Sequence, residues 1–404
     1  MGEGTAGPGP IARWKRCLLG SGALMAAAAV WIPSVHLFYA GRAEQFFNEK
    51  GVSPAARALA ERHLLLWRDP ELRNREIEKM RQRNAEWDFM GRSFLVWSLA
   101  NIGLRDPASK RACLEVMDRI IDHTLELERE KGFQHFLMDY WKDAAFVQKP
   151  PRSLFVDGEI ALMLASRRIL EEKEAYRPLL TERINVMVER MRQSPVLCAE
   201  SYPDECWLFC NTVALAAIRA ADSLDGTDHA GFFRKWTATA KERLIHKETG
   251  LLVSSFTLHG SPTDGPEGSS IWMAAHCLKF IDPDFAADQY ARAKRELSRK
   301  TLGFGYAREW PASWRGPLDV DSGPIIPGLE ASASSSGLAF VAARSFDDTE
   351  HLSSLLASLR FAGFPVRRRG TLKYAASNQV GDAVLLYAAV LGPLRQEVDK
   401  TRQP

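Results

Sequence analysis

The sequence predicts an all-α protein, an (α/α)6-type barrel preceded by one N-terminal transmembrane or signal helix. Three observations carry this. From about Ser53 onward the apolar residues recur at helical spacing, and no sustained period-two alternation bounded by turns interrupts them. The helical segments come in pairs, an apolar one, a short Asp or Pro turn, then an amphipathic one. Helices apolar on all sides must be buried, whereas helices with one apolar stripe cover them, so the alternation describes an inner ring inside an outer ring. Before the pairs, a basic segment runs into an uncharged apolar stretch. An open solenoid would show repeats of near-constant length and consensus, which these segments lack.

Composition agrees. The 404 residues are 46% hydrophobic and 25% charged, the balance of a chain with a sizeable core, and residues 41–404 read as one domain. Net charge is only +3 and the basic residues are dispersed, which excludes a nucleic-acid groove; the single tight run, Arg367, Arg368 and Arg369, reads as a solvated loop. Six cysteines without regular spacing are too few for a disulfide scaffold. The absence of CxxC, HExxH and paired-His patterns argues against a metal. Gly303-Phe-Gly305 lacks the flanking strand and helix of a nucleotide loop, and no cofactor is expected.

In order along the chain, residues 1–16 form a basic, Gly- and Pro-rich, flexible N-terminus, and 17–40 are apolar and just long enough to span a bilayer. Phe38-Tyr39-Ala40 is a poor signal-cleavage site, so a signal-anchor is favoured over a cleaved signal peptide. The positive-inside rule then places the N-terminus in the cytoplasm and the body outside it, in a periplasmic or extracytoplasmic compartment. Ser53-Pro54 caps a helix through Leu66. The pairs follow: Phe89 to Gly103 with Ala108 to Glu130; Glu159 to Leu170 with Pro178 to Arg192; Cys206 to Ala221 with Gly231 to His246. Ser269 to Phe280 pairs with Phe285 to Lys300, Ala331 to Arg344 with Glu350 to Leu359, and Asp382 to Leu394 closes the series.

If the helices alternate in direction, every loop preceding an inner helix lies at one end of the barrel. Those loops (86–88, 155–159, 202–206, 262–270, 319–324 and 373–382) are rich in acids, aromatics or Gly, whereas the loops leaving the inner helices are short, plain turns. The elaborate end is therefore the expected mouth.

Each candidate there has a plain and a functional reading. Cys206 and Cys210 are four apart and share a helix face if the helix has begun by Cys206; they are small core residues or a reactive thiol pair. Asp157 and Glu159 at one helix start, and Asp88 at another, satisfy helix dipoles or act as acid and base. Asp319 and Asp321 point the same way from an extended segment and share a proton, hold hydroxyls or order a turn. Trp207, Trp310, Trp314 and Tyr306 wall a cleft or pack a core, with Trp87 at a pocket edge and Tyr202 in the turn before Trp207. His259 is the mouth histidine with loop freedom, while His276 reads as core.

Tyr202-Pro-Asp-Glu-Cys-Trp-Leu-Phe-Cys-Asn-Thr-Val-Ala214 resembles the corresponding turn of the linalool dehydratase/isomerase family. Further similarity runs through Gly158-Glu-Ile-Ala-Leu-Met163, Ile281-Asp-Pro-Asp-Phe285, Gly337 to Arg344 and the helix after Leu372-Lys-Tyr374, covering most of residues 85–395. The resemblance implies a barrel with a cleft for a small apolar alcohol and cofactor-free acid/base dehydration or isomerisation. Cys210 matches a family active-site cysteine. A second family cysteine falls on Ser201, a histidine on Glu159 and a pocket tyrosine on Phe256. The expected protein is thus a membrane-anchored lyase or isomerase. A glycan-active barrel using paired carboxylates and a non-catalytic binding barrel are the alternatives, and a homo-oligomer is compatible with all three.

Overall fold

A computed structural model describes residues 10–41, 43–48, 50–316, 318 and 322–400. The chain opens with α1 (Pro10–Ser34) and the single turn α2 (His36–Tyr39). The stretch Trp14–Gln45 is long and apolar enough to cross a membrane, and its apolar window buries nothing against the barrel. There follow α3 (Pro54–Arg68), α4 (Pro70–Arg81), α5 (Ala85–Arg105), α6 (Lys110–Lys131), α7 (Leu154–Leu170) and α8 (Arg177–Gln193). Then come β1 (Cys206–Trp207), α9 (Leu208–Asp225), α10 (Ala230–Arg243), β2 (Ser255–Phe256), β3 (Pro262–Asp264), α11 (Gly268–Leu278) and α12 (Pro283–Leu297). The last third holds β4 (Ser298–Thr301), β5 (Phe304–Arg308), β6 (Ile325–Ile326), β7 (Ala331–Ser332), α13 (Ala333–Ser345), α14 (Thr349–Ala362), β8 (Pro365–Arg368), β9 (Thr371–Tyr374), α15 (Gln379–Val390) and α16 (Pro393–Lys400).

The odd helices from α5 to α15 form a closed ring, each packed on the next and α15 back on α5. Their burial follows from composition: every described residue of α7 except Ile169 is buried, and α9 is buried from Leu208 to Asp222. The amphipathic α3, α6, α8, α10, α12 and α14 cover the ring, completing the six-fold α/α barrel that the pairing predicts. Local chemistry sets the helix starts. Ser53, Asn84, Asp282, Ser332, Asp348 and Asn378 each cap a helix with a side-chain oxygen, each worth about 1 kcal/mol.

Several boundaries differ from the sequence expectation: α7 starts earlier, at Leu154, α12 stops at Leu297 before β4, and α13 starts at Ala333 after β7. The helix expected from Cys206 begins at Leu208, because residues 206–207 pair with 255–256 as strands. The last apolar helix stops at Val390, and α16 turns back across the barrel. There Leu394 N donates to Asn101 Oδ1 (3.0 Å), Arg105 Nη2 to Leu391 O (2.7 Å) and Arg219 Nη2 to Val398 O (3.2 Å). These contacts join α16 to the C-terminal ends of α5 and α9, so α16 closes that end.

At the other end the connections fold into small antiparallel sheets, ordered β1-β2-β3, β4-β5-β7-β6 and β8-β9. Strands of two to five residues leave no period-two signature, which is why the sequence pattern conceals them. A recess of about 630 Å3, lined by Arg219, Asp222, Arg234 and Pro283 among others, sits at the closed end by the turn from α9 to α10, away from the predicted mouth residues.

Candidate functional site

The site is assembled on the first turn of α9. Asn211, fully buried, holds the preceding segment over that turn: its Oδ1 accepts Ala199 N (3.1 Å) and its Nδ2 donates to Trp207 O (2.9 Å). Ser201 is thereby seated between α9 and the start of α7, where its carbonyl accepts Ser153 Oγ (2.7 Å). The hydroxyl of Ser201 hydrogen-bonds the Cys210 thiol. Burial pushes that thiol well above the ordinary cysteine range; the Ser201 bond opposes the shift, and Glu86, joined by Glu159 once it ionises, adds to it. Cys210 is a neutral thiol at pH 7.

Cys206 does not share this environment. Because α9 starts two residues later, the expected common helix face is absent, and Cys206 Sγ lies 2.9 Å from Cys198 Sγ. Its electrostatic neighbours are Glu200 and Arg190, and burial raises its thiol as well. The two thiols part company at the strand-to-helix junction.

On α7, Asp157 and Glu159 face different surroundings. Asp157 receives Arg152 Nε (2.7 Å) and Arg183 Nη1 (2.6 Å), with Glu128 bridging both arginines. Burial would raise its carboxyl, but the Arg152 hydrogen bond and the two guanidinium charges hold it below the usual range. Glu128 belongs to α6 and Arg183 to α8, so Asp157 faces the outer ring. Glu159 lies some 200° around the helix from it. Both of its carboxylate oxygens are buried without a hydrogen-bond partner among the described residues. Ser93 sits beside it and draws its pKa down a little, but the Ser93 hydroxyl proton goes to Phe89 O (3.2 Å). Burial dominates and pushes Glu159 up to about 8, so it is a protonated acid at neutral pH. Gly158 between them permits this arrangement: a Cβ there would stand 3.3 Å from Ala214 N on α9.

Asp88 repeats the Asp157 pattern. It takes Arg92 Nε (2.8 Å) and Arg92 Nη2 (3.2 Å), and Arg92 continues to His123 (2.8 Å) and Thr124 (3.3 Å) on α6. Both aspartates therefore tie the inner ring to the outer one.

Deeper in the ring, a polar thread descends from Glu159. Burial raises Cys277 of α11 and Tyr387 of α15 well above their ordinary values, and Glu159, once ionised, adds to both shifts. Tyr387 Oη lies 2.9 Å from His276 Nε2, and His276 Nδ1 lies 2.6 Å from Ser345 Oγ. Ser345 spends its own proton on Val341 O (2.9 Å), which fixes the direction: Tyr387 donates to Nε2, and Nδ1–H donates to Ser345. Burial lowers His276 to about 3, so the ring is neutral. The sequence offered Tyr387 only as a lone polar ring in an apolar helix, and Ser93 and Cys277 as small residues in buried ones.

The remaining candidates line the mouth unevenly. Tyr202 is buried, donates to Glu86 Oε1 (2.5 Å), accepts Met138 N (2.8 Å) and stacks on Tyr140 at 4.2 Å. Trp87 and Trp207 are half-buried at the starts of α5 and α9. Phe256 is fully buried opposite Cys206 in β2. Trp310 is buried and stacks on Trp314 at 5.7 Å. His259 is exposed, with its carbonyl taken by Arg243 of the outer helix α10, so the structure sets it apart from Glu159 and Cys210. Asp319 and Asp321 lie outside the described residues. Glu309, which the sequence gave no reason to select, joins the starts of α11 and α13 by accepting Ser269 N (2.8 Å) and Ser332 Oγ (2.5 Å).

The chain is similar in structure to the GH76 alpha-mannanase of Bacteroides thetaiotaomicron (TM-score 0.47, 12% identity, 78% of this chain and 86% of that one). It is also similar to a family 105 glycoside hydrolase of C. acetobutylicum (TM-score 0.42, 12% identity, 76% and 93%). The model of the family described as linalool dehydratase/isomerase matches residues 166–380. That span contains Ser201, Cys210 and His276 and leaves Glu159 and Tyr387 just outside. It covers more than half of the 404 residues, and the chain belongs to the linalool dehydratase/isomerase family.

Proposed function

We propose that this protein is a membrane-anchored, exported lyase or isomerase that dehydrates or rearranges a small apolar alcohol without a cofactor. The observation that carries the reading is Glu159: a carboxyl buried in the ring, without hydrogen bonds, held protonated at neutral pH, and within electrostatic range of Cys210. A protonated carboxyl in an apolar enclosure is a general acid. Glu159 gives its proton to the departing hydroxyl, which leaves as water. The carboxylate so formed takes a proton from the carbon next to the cationic centre, giving the alkene and restoring the acid. In the isomerisation, water adds to the other end of the allylic cation and returns a proton to the Glu159 carboxylate, with the neutral Cys210 thiol as a hydrogen-bond donor nearby. A thiol raised by burial serves as a donor and not as a standing thiolate base.

Family membership and the anchor-like helix α1 support the same reading. Glycan chemistry by paired carboxylates draws no support from Asp88 or Asp157, since each is occupied by arginine.

The test is product formation from a tertiary allylic alcohol by the full chain in detergent, followed by headspace chromatography. Diene should accumulate with wild type and fall roughly 10²–10⁴-fold with Glu159→Gln. Undiminished turnover in a Glu159→Gln, Cys210→Ala double variant would overturn the assignment.

A further inference from the structure

Six of the ten exposed large apolar side chains beyond the N-terminal helices, among the described residues, fall between residues 302 and 364: Leu302, Leu318, Ile326, Leu329, Phe361 and Phe364. All six belong to one end of the barrel. Inner helices start at the mouth, so the outer helices α12 and α14 end there; Leu302 lies in the hairpin after α12, and Phe364 follows α14. Leu318, Ile326 and Leu329 lie in the segment leading into α13. Leu302 (48% exposed) and Phe364 (63% exposed) both carry positive φ, +49° and +50°, a backbone region that costs bulky residues energy and gives neither side chain shelter.

The N-terminal helices reach the barrel at this same rim. Tyr39 packs on Phe361 (5.1 Å) and Phe304 (6.0 Å), Arg360 Nη1 donates to Tyr39 O (3.3 Å), and Gly303 leaves room for His36, which a Cβ there would strike at 2.2 Å. From Tyr39 the chain descends toward the closed end, where Phe47 stands by Arg344 and Asn48 O accepts Arg105. The α1 helix thus meets the barrel at its mouth, and whatever bilayer α1 enters is brought up to that rim. The two rim segments 297–308 and 359–374 contain eight Lys and Arg and no Asp or Glu. Arg308 pairs with Glu330; apolar tips beside the other seven cations suit a surface of anionic headgroups over hydrocarbon.

We propose that the barrel mouth docks on the membrane, with Leu302 and Phe364 inserted at headgroup depth and Lys300 and Arg367 to Arg369 on anionic lipid. The alcohol substrate then enters from the lipid phase, where an apolar molecule concentrates, and not through bulk water. The inference rests on the anchored, apolar-alcohol reading above and names the route by which that substrate arrives.

The experiment uses the full chain, Cys17→Ser, in phosphatidylcholine vesicles with and without phosphatidylglycerol. An environment-sensitive fluorophore is attached in turn to Leu302→Cys, Phe364→Cys, Leu179→Cys at the opposite end and Met25→Cys in α1. Docking predicts blue-shifted emission and quenching by shallow spin-labelled lipid at 302 and 364, stronger with phosphatidylglycerol, deep quenching at 25 and none at 179. Quenching at 25 with 302 and 364 behaving like 179 overturns docking and leaves the anchor standing. No quenching at 25 overturns the anchored reading and docking with it. Shielding at 302 and 364 that follows protein density and not lipid quencher assigns the rim to a second copy of this chain and also overturns docking.

Discussion

Asp157 and Glu159 stand two residues apart on α7 and hold opposite protonation states, because one side of the helix carries two arginines and the other carries none. Asp157 is ionised between Arg152 and Arg183, whereas burial keeps Glu159 protonated, with only Ser93 opposing it. About half a turn of one helix separates the residue that fastens the wall from the residue proposed as the acid.

Glu159 makes stability pH-dependent with a definite sign. Its folded pKa of about 8 lies above the ordinary 4.5, so the folded state binds the extra proton between those values. Folding stability therefore falls as pH rises through that window, at up to roughly 1.4 kcal/mol per pH unit. Glu159→Gln removes the titration without changing shape. Urea unfolding of the two proteins at pH 5, 6.5 and 8 should show the variant gaining on wild type at each step.

Asp157→Asn should lower stability by roughly 2–3 kcal/mol, the cost of a buried pair broken on one side, reduced because Arg152 is partly exposed. Denaturant midpoints check the value. The pH dependence of catalysis should keep its shape, since Asp157 serves the wall.

Cys210 should resist alkylation in the folded state. A buried neutral thiol reacts only as fast as the structure opens. Site-resolved mass spectrometry after iodoacetamide treatment at pH 7.5 should find Cys210 unmodified until urea unfolds the barrel. Rapid labelling in the folded protein would assign it a thiolate.

Gly158→Ala places a methyl 3.3 Å from Ala214 N, against helix backbone that moves only as a unit. The expected cost is about 1–3 kcal/mol, measured as a lowered Tm, with α7 displaced from α9.

The barrel was legible in the sequence because its cause is local: helices apolar all round must go inside, and the paired pattern counts them. The gathering of elaborate loops at one end was legible for the same reason, since loop composition differs between the two ends. Roles within the site were less so. Asp88, Asp157 and Glu159 look alike as acids at helix starts; only the packed structure reveals that Arg92, Arg152 and Arg183 reach the first two. Tyr387 and His276 meet across 111 positions of sequence, and no spacing rule joins them. The strand at Cys206 is set by its partner Phe256, fifty residues on, so the apparent i, i+4 thiol pair dissolved for a non-local reason.

The most direct test of the account is the protonation state of Glu159, read as the carboxylic-acid C=O stretch in infrared difference spectra of wild type minus Glu159→Gln. The subtraction cancels Asp382, which burial raises to about 7. The account predicts a protonated-carboxyl band at pH 6.5 that disappears as pH passes about 8. A difference spectrum with only carboxylate bands at pH 6.5 would contradict it.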